Sequence, residues 1–359
     1  MALPQIRSAS TPTTVAVPVT TYDARGLAED IHDIISLISP ADTPCYSMFR
    51  QTPAEGVVVT WQMDKLRAPK INAAIEAGAA PTNNQAVTGI LQNWTQIFDE
   101  NANVSSTVAA SRTIGRANEM DYQVMKRGKE IKRDIEHAIV GINQAVATGD
   151  TSTARKMASL STMIDGTLTT GNRFGNTANG AAAAGYNSSI AIIRTGAGSS
   201  PRALIEPIVL AAHQKCYNDG ADPNWLLVNA VDAGKVANFA YVDPTGTAAA
   251  GVRIRETGEG TLYNKVETYI SPYGTLSVVT DRFVSGGQAT IEAGDAVAAG
   301  DGYAFLVNTD QCFIANLQPF QSVPLAKVGH YEREMVFTEL TLGVENNLSC
   351  AVIGDLTII

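Results

Sequence analysis

The sequence predicts an α+β protein, and three observations predict it. A long stretch carries the 3.6-residue periodicity of an amphipathic helix, two runs of period two flank a long loop, and the C-terminal half holds short apolar runs between glycine-rich turns. Helices and strands arranged in blocks, without strict βαβ alternation, fit an α+β architecture.

Between Arg112 and Thr148, the residues Met120, Val124, Gly128, Ile131, Ile135, Ala138, Ile139, Ile142 and Val146 recur at three- and four-residue steps and share one helical face. That face is expected to be buried. The other faces carry Lys126, Arg127, Lys129, Glu130, Lys132, Arg133, Asp134 and Glu136, with Lys126–Glu130 and Lys132–Glu136 one turn apart and His137 solvated beside them. At about 1.5 Å per residue the helix would be on the order of 50 Å long, more than a compact core needs, so it reads as a strut. The competing coiled coil needs a regular a/d seam, which is absent, and Gly128 and Gly141 would each weaken it by about 1 kcal/mol.

A chain of 359 residues can build two or more cores, and 45% apolar against 17% charged residues excludes disorder of the whole. A formal charge of -9 excludes a main surface devoted to nucleic acid, which needs a clustered basic face. Cys45, Cys216, Cys312 and Cys350 form no CxxC pair, so buried thiols in a reducing cytoplasm are expected. With no uninterrupted apolar run of about 18 residues and no charged-then-apolar leader, neither a membrane nor export is expected.

Residues 1–20, rich in Ser, Thr, Ala, Pro and Val, read as an arm that cannot fold alone. Asp23 is a candidate N-cap for a helix through Leu27, Ile31, Ile34, Ile35 and Ile38, ended by Pro40, and Ser39 to Pro44 forms a rigid turn. From Gly56 the period becomes two. Val57, Val59, Trp61 and Met63 alternate with Val58, Thr60, Gln62 and Asp64, and a second strand is predicted over Gly89 to Phe98. The loop between them, Leu66 to Thr88, is long enough to be functional or flexible, and two strands alone are marginal in water. The pair therefore reads as an outstretched arm that lies on another molecule.

Residues 149–200 lose all period except for a short helical piece around Met157 to Ile164. Ser200-Pro201 is the expected start of a helix through Leu204, Ile208, Ala212 and Cys216 to Gly220, bent at Pro207. Then come a strand over Trp225 to Val228, a short helix over Asp232 to Phe239, and strands near Val252 to Arg255, Val266 to Ser271, Leu276 to Thr280 and Ala304 to Leu306. The tail predicts strands over Phe313 to Ala315, Pro324 to Val328, Glu339 to Val344 and Cys350 to Ile353.

No nucleophile elbow, phosphate loop or dinucleotide turn is present. His32, His137, His213 and His330 are dispersed without the i,i+4 spacing of a zinc-binding helix, and Glu332 and Glu334 lie among charged neighbours. The sequence thus nominates no catalytic, cofactor-binding or metal-binding residue, and no enzyme is expected.

The order of parts, and the wording of six segments, resemble a known family. Thr21-Tyr22-Asp23, Ile38-Ser39-Pro40-Ala41-Asp42-Thr43-Pro44, Trp61-Gln62-Met63-Asp64-Lys65-Leu66, Asn93-Trp94-Thr95-Gln96-Ile97-Phe98, Lys132-Arg133-Asp134-Ile135-Glu136 and Glu339-Leu340-Thr341-Leu342 are similar to signature segments of the podovirus-type major head proteins of tailed bacteriophages. Those proteins have the Hong Kong 97-type capsid fold.

The resemblance implies an N-terminal arm (1–52), an extended two-stranded loop (53–111), a peripheral domain (112–220 and 310–359) and an axial domain (221–309). The peripheral domain would hold the spine helix 112–148 and the glycine-rich loop 149–200. It implies a virion shell protein, assembled in the host cytoplasm as hexamers and pentamers into an icosahedral or elongated head around double-stranded DNA. The DNA would be touched weakly and non-specifically, and a separate scaffolding protein, a portal and decoration proteins would be partners. Trp61, Met63, Trp94 and Phe98 are expected to line one face of the arm over a neighbour's spine helix, with Lys126 and Arg133 as further interface candidates. Competing readings are an encapsulin-like compartment, a tail or decoration protein, and an enzyme.

Overall fold

The computed structural model of the chain describes residues 42–78, 87–111, 113, 115–141, 144–164, 173–174, 203–237, 239, 256–257, 261–262, 266–284 and 302–357. The expected arm over 1–20, the helix through Leu27 to Ile38, the Ser200-Pro201 helix start and the strand Val252 to Arg255 lie outside these residues.

The first half contains α1 (Pro44–Met48), β1 (Arg50–Pro53), β2 (Val58–Met63), β3 (Gly89–Trp94), β4 (Gln96–Ser105), α2 (Ser106–Ala110), α3 (Glu119–Glu136), α4 (Leu160–Met163) and β5 (Arg173–Phe174). The second half contains α5 (Glu206–Asn218), β6 (Trp225–Val228), α6 (Ala230–Val236), β7 (Glu256–Thr257), β8 (Thr261–Leu262), β9 (Thr268–Ser271), β10 (Gly274–Thr280) and β11 (Gly302–Val307). It closes with β12 (Cys312–Pro324), β13 (Tyr331–Val344) and β14 (Ala351–Leu356).

Two larger sheets carry the fold. One has the order β1-β12-β13-β4, and the other the order β5-β14-β11-β6-β10-β9; β2-β3 and β7-β8 are separate ribbons. The helix α3 lies across β4 and β13. The six-stranded sheet is covered on both faces: Leu227, Phe305 and Val352 enter the core shared with α3, while Leu226, Val228, Leu306 and Ile353 face the core beneath α5 and α6. Strands buried on both sides read as continuous apolar runs, which is why Trp225 to Val228 and Tyr303 to Val307 show no alternation.

The sheets cut across the division expected from the sequence. The strand β14 pairs with β11, and α5 packs on β14, so both join the six-stranded sheet although they fall outside 221–309.

The long helix is shorter than its apolar stripe. It starts at Glu119, where the Asn118 side chain accepts the N–H of Met120 at 3.0 Å, and Gly115 at φ 79° turns the chain just upstream. After Glu136 a π-helical turn over His137–Gly141 ends it, and Ala147 then bridges Lys156 antiparallel. The helical part is about 35 Å long rather than 50 Å. Val146 keeps the apolar spacing because it still packs on the core, but it does so from extended chain.

Two further expectations are corrected. Pro207 does not bend α5; it sits in the first turn, where its missing N–H has no intrahelical partner to lose. The stop at Gly220 is as expected, with φ 85°. In the tail, β12 runs from Cys312 to Pro324, and residues 325–328, expected as strand, lie outside it.

Candidate functional site

The run Gly89 to Phe98 is two strands rather than one. It breaks at Thr95: β3 pairs with β2, and β4 pairs with β13. Trp61 lies opposite Leu91 and Met63 opposite Gly89, so these share one face with Asn93; Trp94 lies opposite Val58 and points the other way. Phe98, past the break, is only 8% exposed and packs in the main core. The expected single face of Trp61, Met63, Trp94 and Phe98 therefore does not form. Period two holds within each strand but cannot show that the chain changes sheets between them.

The root of the β2–β3 ribbon is fixed by polar groups that the alternation could not reveal. Asn93 is fully buried; its Nδ2 donates to Leu342 O at 2.7 Å and Ala158 O at 3.3 Å, and its Oδ1 accepts the N–H of Ala158 at 2.9 Å. The Thr95 hydroxyl donates to Glu339 Oε1 at 2.6 Å, Arg155 Nε donates to Thr95 O at 2.6 Å, and Arg155 forms an ion pair with Glu339. Trp61 Nε1 donates to Val344 O at 2.8 Å, with its ring edge-on to Phe313.

Beyond Met63 the described ribbon is open to solvent. Every described residue from Asp64 to Gly78 is exposed, including Leu66 at 92%, Ile71 at 96% and Ile75 at 86%, as is Val87 on the return. Large apolar side chains grouped on an exposed projection mark an interaction surface. A rigid root bearing an uncovered apolar tip suits docking on another chain, because ordering the root is already accomplished before contact.

On α3, Lys126 and Arg133 keep part of their surface exposed, and the Arg133 guanidinium lies 5.8 Å over the Phe283 ring. The helix pairing differs from expectation: Arg127 reaches Glu130 at 2.7 Å and Glu100 at 3.6 Å. Glu136 does not face solvent with Lys132. It is buried and accepts two backbone N–H groups of α1. His137 is half-buried in the π turn, where burial lowers its pKa.

Two groupings could be mistaken for chemistry. Ser271 Oγ lies 2.8 Å from His213 Nδ1, but it also donates to Gly274 O at 3.0 Å and accepts the N–H of Tyr273 at 3.2 Å, so it closes the turn between β9 and β10. A cleft of about 560 Å³ lined by Asp42, Pro44, Ala230, Ala233, Thr280, Asp281 and Arg282 runs past α1. All four cysteines are buried, with the Cys312 and Cys350 sulfurs 3.9 Å apart.

Solved structures share this architecture. The chain is similar to the capsid of a native GTA particle (TM-score 0.57, 11% identity, covering 94% of this chain and 98% of that one) and to a Gordonia phage Cozz chain (TM-score 0.54, 11% identity, 92% and 91% covered). It is also similar to the SrpI encapsulin of Synechococcus elongatus PCC 7942 (TM-score 0.53, 10% identity, 95% and 97% covered). The fold is thus the Hong Kong 97-type fold of phage capsid proteins. Among curated proteins, the major capsid protein of Escherichia phage Phieco32 is 36% identical over 120 residues, a match spanning about a third of either chain. A family model described as "SU10 major capsid protein" matches residues 11–357. With nearly the whole chain inside that match, and the fold agreeing, the chain belongs to the SU10 major capsid protein family.

Proposed function

We propose that this chain is the building block of a tailed-bacteriophage head, associating as hexamers and pentamers into a closed icosahedral or elongated shell around double-stranded DNA. The observation that carries the reading is the ribbon: an anchored root bearing Leu66, Ile71 and Ile75 almost wholly exposed, a surface suited to contact with another copy. Met63, Trp94, Lys126 and Arg133 retain exposed surface and serve as contacts with a neighbouring copy. Trp61 and Phe98 act inside the subunit. The six-stranded sheet with α5 and α6 forms the axial part, and α3 with the four-stranded sheet the peripheral part. A separate scaffolding protein, a portal and decoration proteins complete the head, and scattered Lys and Arg meet the DNA weakly, as the charge of -9 requires.

The test is Leu66→Ser, Ile71→Ser and Ile75→Ser combined. Subunit stability should stay within about 0.5 kcal/mol, as for exposed positions, while closed shells seen by electron microscopy should fall sharply in yield. Shells of normal yield would refute the reading. Likeness to an encapsulin supports one rival, a protein-filled compartment. Purified particles separate the two: packaged DNA favours the head, and a protein cargo favours the compartment.

A further inference from the structure

Three segments far apart in sequence meet at one buried carboxyl. Glu136, the last residue of α3, is fully buried; its Oε1 accepts the N–H of Cys45 at 2.8 Å and its Oε2 that of Tyr46 at 2.8 Å, both from α1. Against it sits Asp281, directly after β10 and 1% exposed. One ligand-type atom from each of Cys45, Glu136 and Asp281 lies within 4.8 Å of the others. Asp281 Oδ1 accepts the N–H of Phe283 at 2.9 Å, whereas its Oδ2 is buried and meets no hydrogen-bond donor among the described residues.

Two carboxylates at this separation, away from water, cannot both stay ionised without a compensating cation. Among the described residues, the titratable and charged groups around them do not supply one. From α1 come the Cys45 thiol and the Tyr46 phenol, both pushed up by burial; from the long helix come His137, lowered by burial, and Arg133, which stacks on Phe283 instead. Arg282 and Asp42 line the cleft outside.

Both Glu136 oxygens accept backbone N–H bonds and Asp281 Oδ2 meets no such donor, so the geometry leaves the pair with one place for a proton to bridge the two carboxyls. We propose that Glu136 and Asp281 hold one proton between them, and that this proton is the clasp fastening α1 and the end of β10 to the end of the long helix. A divalent cation is the competing occupant of such a cluster, but the two N–H groups aimed at Glu136 favour the proton. The clasp is a property of the subunit fold and holds whether or not copies close into a shell.

Burial, reinforced by the Asp281 charge, raises Glu136 from its ordinary 4.5 to about 8, and burial raises Asp281 as well. The folded pair keeps its proton to higher pH than the unfolded chain. The clasp is therefore fully made below about 4.5 and is lost as the pH rises through about 8.

Asp281→Asn is the neutral mimic, since its Oδ1 still accepts from Phe283 and its Nδ2 donates to Glu136, so the pair no longer has a proton to share. Hydrogen exchange of the full chain, corrected for intrinsic rates, is followed on the peptide holding Cys45 and Tyr46. Wild type should lose protection up to about tenfold per pH unit between about pH 5 and about pH 8, and D281N should stay flat. A wild-type slope no steeper than that of D281N overturns the clasp. So does stoichiometric metal in the purified protein whose chelation by EDTA removes the protection. If D281N does not fold, infrared difference spectra of wild type decide: a neutral-carboxyl band lost near pH 8 supports the clasp, and its absence at about pH 6 overturns it.

Discussion

The indole N–H of Trp61 donates to the carbonyl of Val344 at 2.8 Å, and the same ring stands edge-on against Phe313, 5.4 Å between centroids. A residue of the outstretched ribbon is thereby bolted to the last residue of β13, in the core of the four-stranded sheet. The ribbon's direction is set by that bolt and by Asn93 beside it, while its tip remains uncovered.

Trp61→Phe keeps an aromatic ring but removes the donor, leaving the Val344 carbonyl without that bond. A loss of about 1–3 kcal/mol in subunit stability is expected from urea unfolding. Gly343→Ala should cost a similar amount by another route: its Cβ would lie 2.2 Å from the Phe313 ring and push that ring toward Trp61. A shift in Trp61 fluorescence should accompany it, and unchanged emission with unchanged stability would show that the ring stack has slack.

Arg155→Met leaves Glu339, 5% exposed, with the Thr95 hydroxyl as its remaining side-chain partner among the described residues. Breaking a buried pair on one side is expected to cost about 3–5 kcal/mol, whereas the double change Arg155→Met with Glu339→Leu should recover much of it. Denaturant midpoints of the two single variants and the double variant close the cycle. Equal losses in single and double variants would mean that the pair contributes little beyond packing.

His213, 1% exposed, has its pKa lowered first by burial, against an opposing pull from Asp222. A lowered folded value means that the unfolded chain takes up the proton first, so stability is fully present above about 6.5 and declines as the pH falls through the folded value. Hydrogen exchange of the β9–β10 hairpin should quicken on acidification, with the intrinsic rate corrected, and His213→Gln should flatten the response. The sign is opposite to that of the Glu136–Asp281 pair, whose readout is the peptide holding Cys45 and Tyr46, so peptide-level exchange separates them.

Much of the fold was legible because it rests on local periodicity. Ile131, Ile135 and Ile139 announce a buried helical stripe, and Val59, Trp61 and Met63 announce a strand, from spacing alone. Spacing overran where apolar residues keep a helical step in extended chain, as at Val146, and where one alternating run serves two sheets, as at Thr95. Glu136 was misread for a related reason: a carboxylate on the edge of a charged helix looks solvated until the N–H groups of Cys45 and Tyr46, some 90 residues away, are brought to it.

Taken by itself, the sequence determined which segments could be helix or strand, that a long loop from Leu66 to Thr88 separates two strands of an outstretched arm, and to which family its wording points. Only the tertiary structure decided that the ribbon turns at Thr95, that Trp61 and Phe98 look inward while Ile71 and Ile75 do not, and that Glu136 meets Asp281. The reason is one of range. Backbone periodicity is a property of neighbours a few residues apart, whereas burial and shared protons are fixed by strands and helices that meet across the whole chain.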